Sequence, residues 1–240
     1  MITPKDIENK TMTEAKRREA KNSYFAFYIG RPLTYILTIP FLYTNISPNF
    51  VTLISVLCAI AGFICLSLAQ DVSFRLIGLL LFFLWSMGDG IDGNIARYKN
   101  LKSENGDLLD TLGGYLSLCL IMLSMGYTSY YDSVIISPFL PVILGGISAV
   151  STLIPRLLMH RKLARNGSGV SGSELKDKES YSFFKIIVLN VCDPAGFQLI
   201  IMLIAILFHL TSLFTIVYCA LNLLIMIYSI YGLLEKENKI

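Results

Sequence analysis

The sequence predicts an all-α membrane protein in which six transmembrane helices follow an N-terminal interfacial amphipathic helix, and three observations carry that expectation. Of 240 residues, 54% are hydrophobic and 15% charged, too apolar a balance for a water-soluble domain of this length. Six apolar runs, at about 49–69, 74–96, 108–128, 134–158, 195–210 and 212–234, reach or approach the roughly 20 residues that cross about 30 Å of hydrocarbon. An even number of spans puts both termini on one side, and all but one of the 20 Lys and Arg residues fall there, Arg75 being the exception. The positive-inside rule makes that side cytoplasmic.

Taken in order, residues 1–22 form a polar cytoplasmic tail with no apolar core, which excludes a secretory signal. Residues 23–46 are apolar and aromatic but carry Arg31 and two prolines. They read as a helix lying in the cytoplasmic interface, tyrosines and Arg31 toward the headgroups. A seventh span here would carry the C-terminus across the membrane and spoil the charge asymmetry. Residues 47–240 form the six-helix domain. Its fourth run contains Pro138, Pro141 and Pro155, tolerable inside a packed bundle, and its fifth is short and extends backward through 186–191. A cytoplasmic linker at about 160–185 joins those two runs. It includes NGSGVSGS at 166–173 and ELKDKES at 174–180, and is long enough to act as a lid or to be idle. No internal repeat points to the inverted architecture of many transporters. The net charge of +3 follows from the topology; no basic stripe is interleaved with stacking aromatics, so no nucleic-acid partner is expected. The cysteines at 58, 65, 119, 192 and 219 are scattered through apolar runs without CxxC spacing and read as small core hydrophobes.

The chemistry gathers where the second run ends, in MGDGIDGNIARYKN at 87–100. With Asp89 at zero and about 100° per residue, Asp92 falls at about 300°, Gly93 at 40°, Ala96 at 340° and Arg97 at 80°. Carboxylates, small residues and a guanidinium thus share one face. The chain re-enters the membrane with GDLLDTLGG at 106–114, which sets Asp110 at about the depth of Asp89 and Asp92 on the antiparallel neighbour. Unpaired anions there cost several kcal/mol, so such groups need a cation. Either Arg97, Lys99 or Lys102 supplies it and the cluster only fixes the bundle, or the carboxylates hold a hard divalent ion such as Mg²⁺. An EF-hand is excluded, because Ile91 stands where a ligand is required. Gly93 and Ala96 leave room for close approach to the backbone, and Arg97 offers a fork for phosphate.

Asp89-x-x-Asp92-Gly93-x-x-Ala96-Arg97, eight residues, then Gly106-x-x-x-Asp110 resembles the signature of the CDP-alcohol phosphotransferases, integral membrane enzymes of phospholipid and related phosphodiester synthesis. SPNFVT at 47–52 is similar to the family's start of the first span. The resemblance implies six transmembrane helices behind an interfacial helix, and a two-metal site of Mg²⁺ or Mn²⁺ on Asp89, Asp92 and Asp110. It further implies a CDP pocket lined by Asp89, Gly93, Ala96 and Arg97 with Asn49 and Thr52, and a homodimer. The implied reaction is attack of an acceptor hydroxyl on the phosphorus of a CDP-linked donor such as CDP-diacylglycerol, with CMP leaving.

One position departs from that pattern. Where the family has a fourth aspartate that serves as metal ligand and base, this chain has Gly114. Three readings stand open: another group acts, the chain is a non-catalytic relative, or Gly114 is an introduced change. Asp107 is the candidate replacement base, about 20° from Gly114 around the helix but about 10 Å toward the cytoplasm.

Arg156 and Arg161, where the fourth span meets the cytoplasm, suit an anchor for anionic lipid headgroups or an acceptor-phosphate contact. Two functional classes result. One is a transferase moving a substituted phosphate, most commonly phosphatidyl, to an acceptor hydroxyl in phospholipid or related phosphodiester synthesis, or to a cell-surface glycan. The other is a non-catalytic CDP-lipid or cation binding or transport protein. Donor and acceptor stay open, and the expected location is the cell inner membrane with active site and termini cytoplasmic.

Overall fold

The structure is a computed structural model that describes residues 1–101, 103–132, 137, 139–165 and 183–237. Of the linker expected at about 160–185, residues 166–182 lie outside the described residues, as does Lys102, whereas 160–165 and 183–185 are helical. Every regular element among the described residues is helical: α1 Pro4–Thr11, α2 Glu14–Lys21, α3 Arg31–Leu42, α4 Pro48–Leu68, α5 Val72–Tyr98, α6 Glu104–Asp132, α7 Phe139–Arg165, α8 Phe183–Cys192, α9 Leu199–Leu207 and α10 Thr211–Glu237. Five-residue π-helical turns, Ala26–Gly30 and Pro194–Gln198, precede α3 and α9.

The helices start where a short polar side chain can satisfy their first free N–H groups. Thr3, Thr13, Ser47, Asp71 and Ser103 accept from the backbone N–H of Asp6, Lys16, Phe50, Ser73 and Gly106. At α1 the cap is reciprocal, since Asp6 Oδ2 also accepts from Thr3 N at 2.8 Å. Those hydrogen bonds hold the Asp6 carboxyl below the usual carboxylate range.

Pro48–Leu68, Val72–Tyr98, Glu104–Asp132, Phe139–Arg161 and Thr211–Gly232 are each long and apolar enough to cross a membrane. Ile186–Cys192 and Pro194–Leu207 make a sixth crossing if taken as one span bent by 58°. This accords with the six expected runs, including the backward extension of the fifth. The polarity is inverted relative to a soluble protein: along α4, Leu53, Ile54, Leu57, Ile64 and Leu68 are exposed while Thr52, Ser55 and Ala59 are buried. Bulky apolar groups face lipid and small or hydroxylated ones face neighbouring helices.

The chain forms two compact units. One comprises Met1–Gly62, Leu79–Ser117 and Asp177–Ile200, the other Phe63–Gly78, Leu118–Lys176 and Ile201–Ile240. The core of the first is Ile7, Tyr35, Leu42, Val51, Ile91 and Ile95. Ile7 belongs to the stretch read from sequence as a polar tail. That stretch forms α1 and α2, and α1 packs on α3. Ile7 and Thr11 on α1 and Ala20 on α2 are buried, too sparse a pattern to register as periodicity. Asn190 ties α8 to the N-terminal segment, accepting from Tyr24 N and donating to Asn22 O, each at 2.7 Å.

In the second unit, Arg75 is not a loop cation facing water. It is 1% exposed, donates through Nη1 to both carboxylate oxygens of Asp132 at 2.8 and 2.7 Å, and through Nε to Ala69 O. Thr211 Oγ1 donates to the same carboxylate at 2.9 Å. Nearby, Ser129 and Thr215 share a hydrogen bond, and Asn222 donates to Ser148.

Candidate active site

The candidate site lies in the first unit, at the end of α5 and the start of α6. The α5 backbone comes unusually close to its neighbours there. A Cβ on Gly88 would stand 2.6 Å from Ser55 Cβ of α4, and one on Gly90 would stand 2.7 Å from Thr34 Cγ2 of α3, so the sequence uses glycine where three helices converge. Asn94 Nδ2 donates to Thr38 Oγ1, and Lys99 Nζ donates to the carbonyls of Phe41 and Thr44 at and just past the end of α3. These contacts fix the polar end of α5 against α3.

Asp92 is 4% exposed and accepts a hydrogen bond from Thr52 Oγ1 at 2.5 Å. Thr52, one turn into α4, is buried with it. Asp89 and Asp110 are accessible, and their carboxyl groups lie close enough across α5 and α6 to share a proton. Asp92 lies within electrostatic range of both. Two carboxyl groups in direct contact need something positive between them, a proton or a cation. The donor set is all hard oxygen, the kind that suits Mg²⁺ or Mn²⁺, so the residues present fit the expected ion. Among the described residues no three His, Cys, Asp or Glu side chains stand as a finished metal-ion site.

Arg97 folds back over Gly93. A Cβ at 93 would fall 2.9 Å from Arg97 Nη2, and the guanidinium donates to Asn94 Oδ1 at 3.3 Å. It lies within electrostatic range of Asp92 and Asp110, and also of Arg31 and Tyr35 from α3. Ala96 is half-buried on α5. Asn49 is exposed on the first turn of α4, its Oδ1 2.9 Å from where a Gly106 Cβ would be, so the starts of α4 and α6 pass closely. Asp107 is exposed one turn before Asp110 and within electrostatic range of it. A Cβ at Gly114 would meet no described atom within 4 Å. Arg156 and Arg161, half-buried and exposed on the last turns of α7, belong to the other unit.

Sequence reasoning missed three neighbours of this cluster. Arg31 and Tyr35 sit four residues apart on α3 and so share a face, a spacing that was legible. Asp193 caps the turn after α8, its Oδ1 accepting from Ala195 N at 3.1 Å, and lies within electrostatic range of Asp89. An acid before proline inside an apolar run was the available signal.

An uncharacterized protein of Aquifex aeolicus (strain VF5) is 36% identical to this chain over 90 residues, 37% of this chain and 44% of that protein. The chain therefore spans less than half the length of that relative. Residues 45–230 match the family model described as CDP-alcohol phosphatidyltransferase, a stretch that holds Asp89, Asp92, Arg97, Asp107, Asp110 and Asp193, and with most of its length so matched the chain belongs to the CDP-alcohol phosphatidyltransferase family.

Proposed function

We propose that this integral membrane protein transfers a substituted phosphate group from a CDP-linked donor to an acceptor hydroxyl and releases CMP. The observation that carries the reading is the meeting of Asp89 with Asp110 beside the Thr52-held Asp92, in a chain whose family is one of membrane phosphotransferases. Asp89, Asp92 and Asp110 would hold divalent cations, Mg²⁺ or Mn²⁺ and two in number. When bound, these supply positive charge to the donor pyrophosphate and to the charge that develops on the attacking and leaving oxygens.

The remaining work falls to the chain's own side chains. Thr52 orients Asp92 by donating to it. Arg97, held over Gly93 by Asn94, presents its free N–H groups to phosphate oxygens, and Asn49 at the start of α4 lines the nucleotide pocket. The acceptor O–P bond forms, the P–O bond to CMP breaks, and the acceptor proton passes to Asp107, exposed on the first turn of α6. CDP-diacylglycerol is the proposed donor, giving a phosphatidyl product; a hydroxylated small molecule, a lipid or a surface glycan is the acceptor class. Arg156 and Arg161 are assigned to acceptor phosphate or anionic headgroups. The basic residues favour a cytoplasmic site and termini at the cell inner membrane, and the family supports a homodimer.

The test is CMP release by purified full-length protein in lipid nanodiscs with Mg²⁺ and paired CDP-alcohol donors and acceptors, products being read by mass spectrometry. Release that depends on both donor and acceptor is expected. No release with any pair, alongside retained binding of CDP-diacylglycerol, would establish the non-catalytic alternative that Gly114 leaves open.

A further inference from the structure

The N-terminal α3 carries an arginine and a tyrosine that the proposed reaction does not use. Arg31 opens α3 and Tyr35 follows one turn later. Tyr35 is 6% exposed, yet its hydroxyl has no hydrogen-bond partner among the described residues. Arg31 and Tyr35 line a cavity of about 480 Å³ together with Lys5, Glu8 and Phe27. The one acid in that lining, Glu8, is already paired with Arg17. Among the described residues, the side-chain hydrogen bond of Arg31 is a 3.7 Å contact from Nη1 to Met12 Sδ. From α5, the Arg97 guanidinium lies within electrostatic range of both Arg31 and Tyr35. Among the described residues neither Arg31 nor Arg97 forms an ion pair with a carboxylate.

Each of these features is unfavourable alone. Like charges brought together repel, and a buried hydroxyl without a partner has given up water for nothing. A tetrahedral oxyanion removes both costs at once, because it accepts from two guanidinium forks and one phenol while lying between two positive charges. A carboxylate has the charge but offers fewer oxygens to donors arriving from two helices. We propose that Arg31 and Tyr35 of α3, with Arg97 of α5, form a phosphate-binding site, making α3 part of the ligand site as well as an anchor. The phosphate is that of a soluble nucleotide or acceptor, or that of an anionic lipid headgroup. The inference rests on the proposed reaction only for which of these arrives.

The test uses the full chain in phosphatidylcholine nanodiscs, titrated calorimetrically with inorganic phosphate and with CMP, and repeated in discs containing phosphatidylglycerol. Wild type is expected to bind. Arg31→Gln should weaken binding about tenfold or more, and Tyr35→Phe, which keeps the ring and its packing, about three- to tenfold. If phosphatidylglycerol competes with phosphate, the ligand is a headgroup; if it does not, the ligand is soluble; both support the site. Wild-type affinity in both variants, or no binding by wild type in either lipid, overturns it. CMP release is measured on the same samples. Loss of phosphate binding in the variants of a protein that releases no CMP sinks the reaction and keeps the site, whereas normal release with undiminished phosphate binding in Arg31→Gln sinks the site and keeps the reaction.

Discussion

Replacing Arg75 with leucine should be among the most damaging single changes outside the acidic cluster. The guanidinium is 1% exposed and makes three hydrogen bonds, two to Asp132 at 2.8 and 2.7 Å and one to Ala69 O at 3.1 Å. Removing it leaves the Asp132 carboxylate with Thr211 Oγ1 at 2.9 Å and, at 3.6 Å, His209 Nδ1, a cation only when protonated. A buried charge stripped of its partner costs about 3–5 kcal/mol. By the scaling for domains of this size, that lowers the melting temperature by about 6–20 °C. Replacing both partners, as Arg75→Leu with Asp132→Asn, removes the orphaned charge and should recover at least about half of the loss. The five free cysteines, none of them exposed, provide the assay: a thiol-reactive fluorophore reports unfolding in detergent as they become accessible. A single variant that melts within about 2 °C of wild type, or a double variant that melts lower than the single one, would refute the reasoning.

Four further outcomes are expected. Asp89→Asn and Asp110→Asn should abolish CMP release, while Asp107→Asn should lower it at least about tenfold, the scale of a lost general base; wild-type turnover in Asp107→Asn removes that assignment. Thr52→Val should weaken Mn²⁺ binding, followed by electron paramagnetic resonance, about tenfold by freeing Asp92, with Thr52→Ser near wild type because the donor is kept. Gly93→Ala places a methyl group 2.9 Å from Arg97 Nη2; it should displace that side chain and raise the KM for the donor severalfold with the melting temperature nearly unchanged, and an unchanged KM counts against the role of Arg97. Gly114→Ala meets no described atom within 4 Å of its Cβ and should leave stability unchanged or raise it by up to about 1 kcal/mol, checked by the same thiol assay.

The spans were legible because the bilayer imposes a length and a polarity that few other contexts demand. The apolar runs at 49–69 and 74–96 correspond to α4 and α5 within a few residues. The face shared by Asp89, Asp92, Gly93 and Arg97 follows from helical pitch, and pitch is local. The folded state of residues 1–22 was not legible, because α1 and α2 owe their order to caps and to a few buried side chains, Ile7, Thr11 and Ala20, signals too weak in eight residues. The break at Asp193 was half visible as the short fifth run, but its direction was not.

Sequence by itself determined what depends on near neighbours and on the solvent: helical spans, their number, the charge asymmetry, and which side chains lie on one face of α5. Only the tertiary structure decided which groups meet across helices. Asp89 faces Asp110, Thr52 holds Asp92, Arg31 and Tyr35 stand by Arg97, and Arg75 is buried against Asp132. The reason is physical. Helix pitch is fixed by the backbone alone, whereas the distance between side chains on different helices is set by how closely those helices pack, here by Gly88 against Ser55 and Gly90 against Thr34.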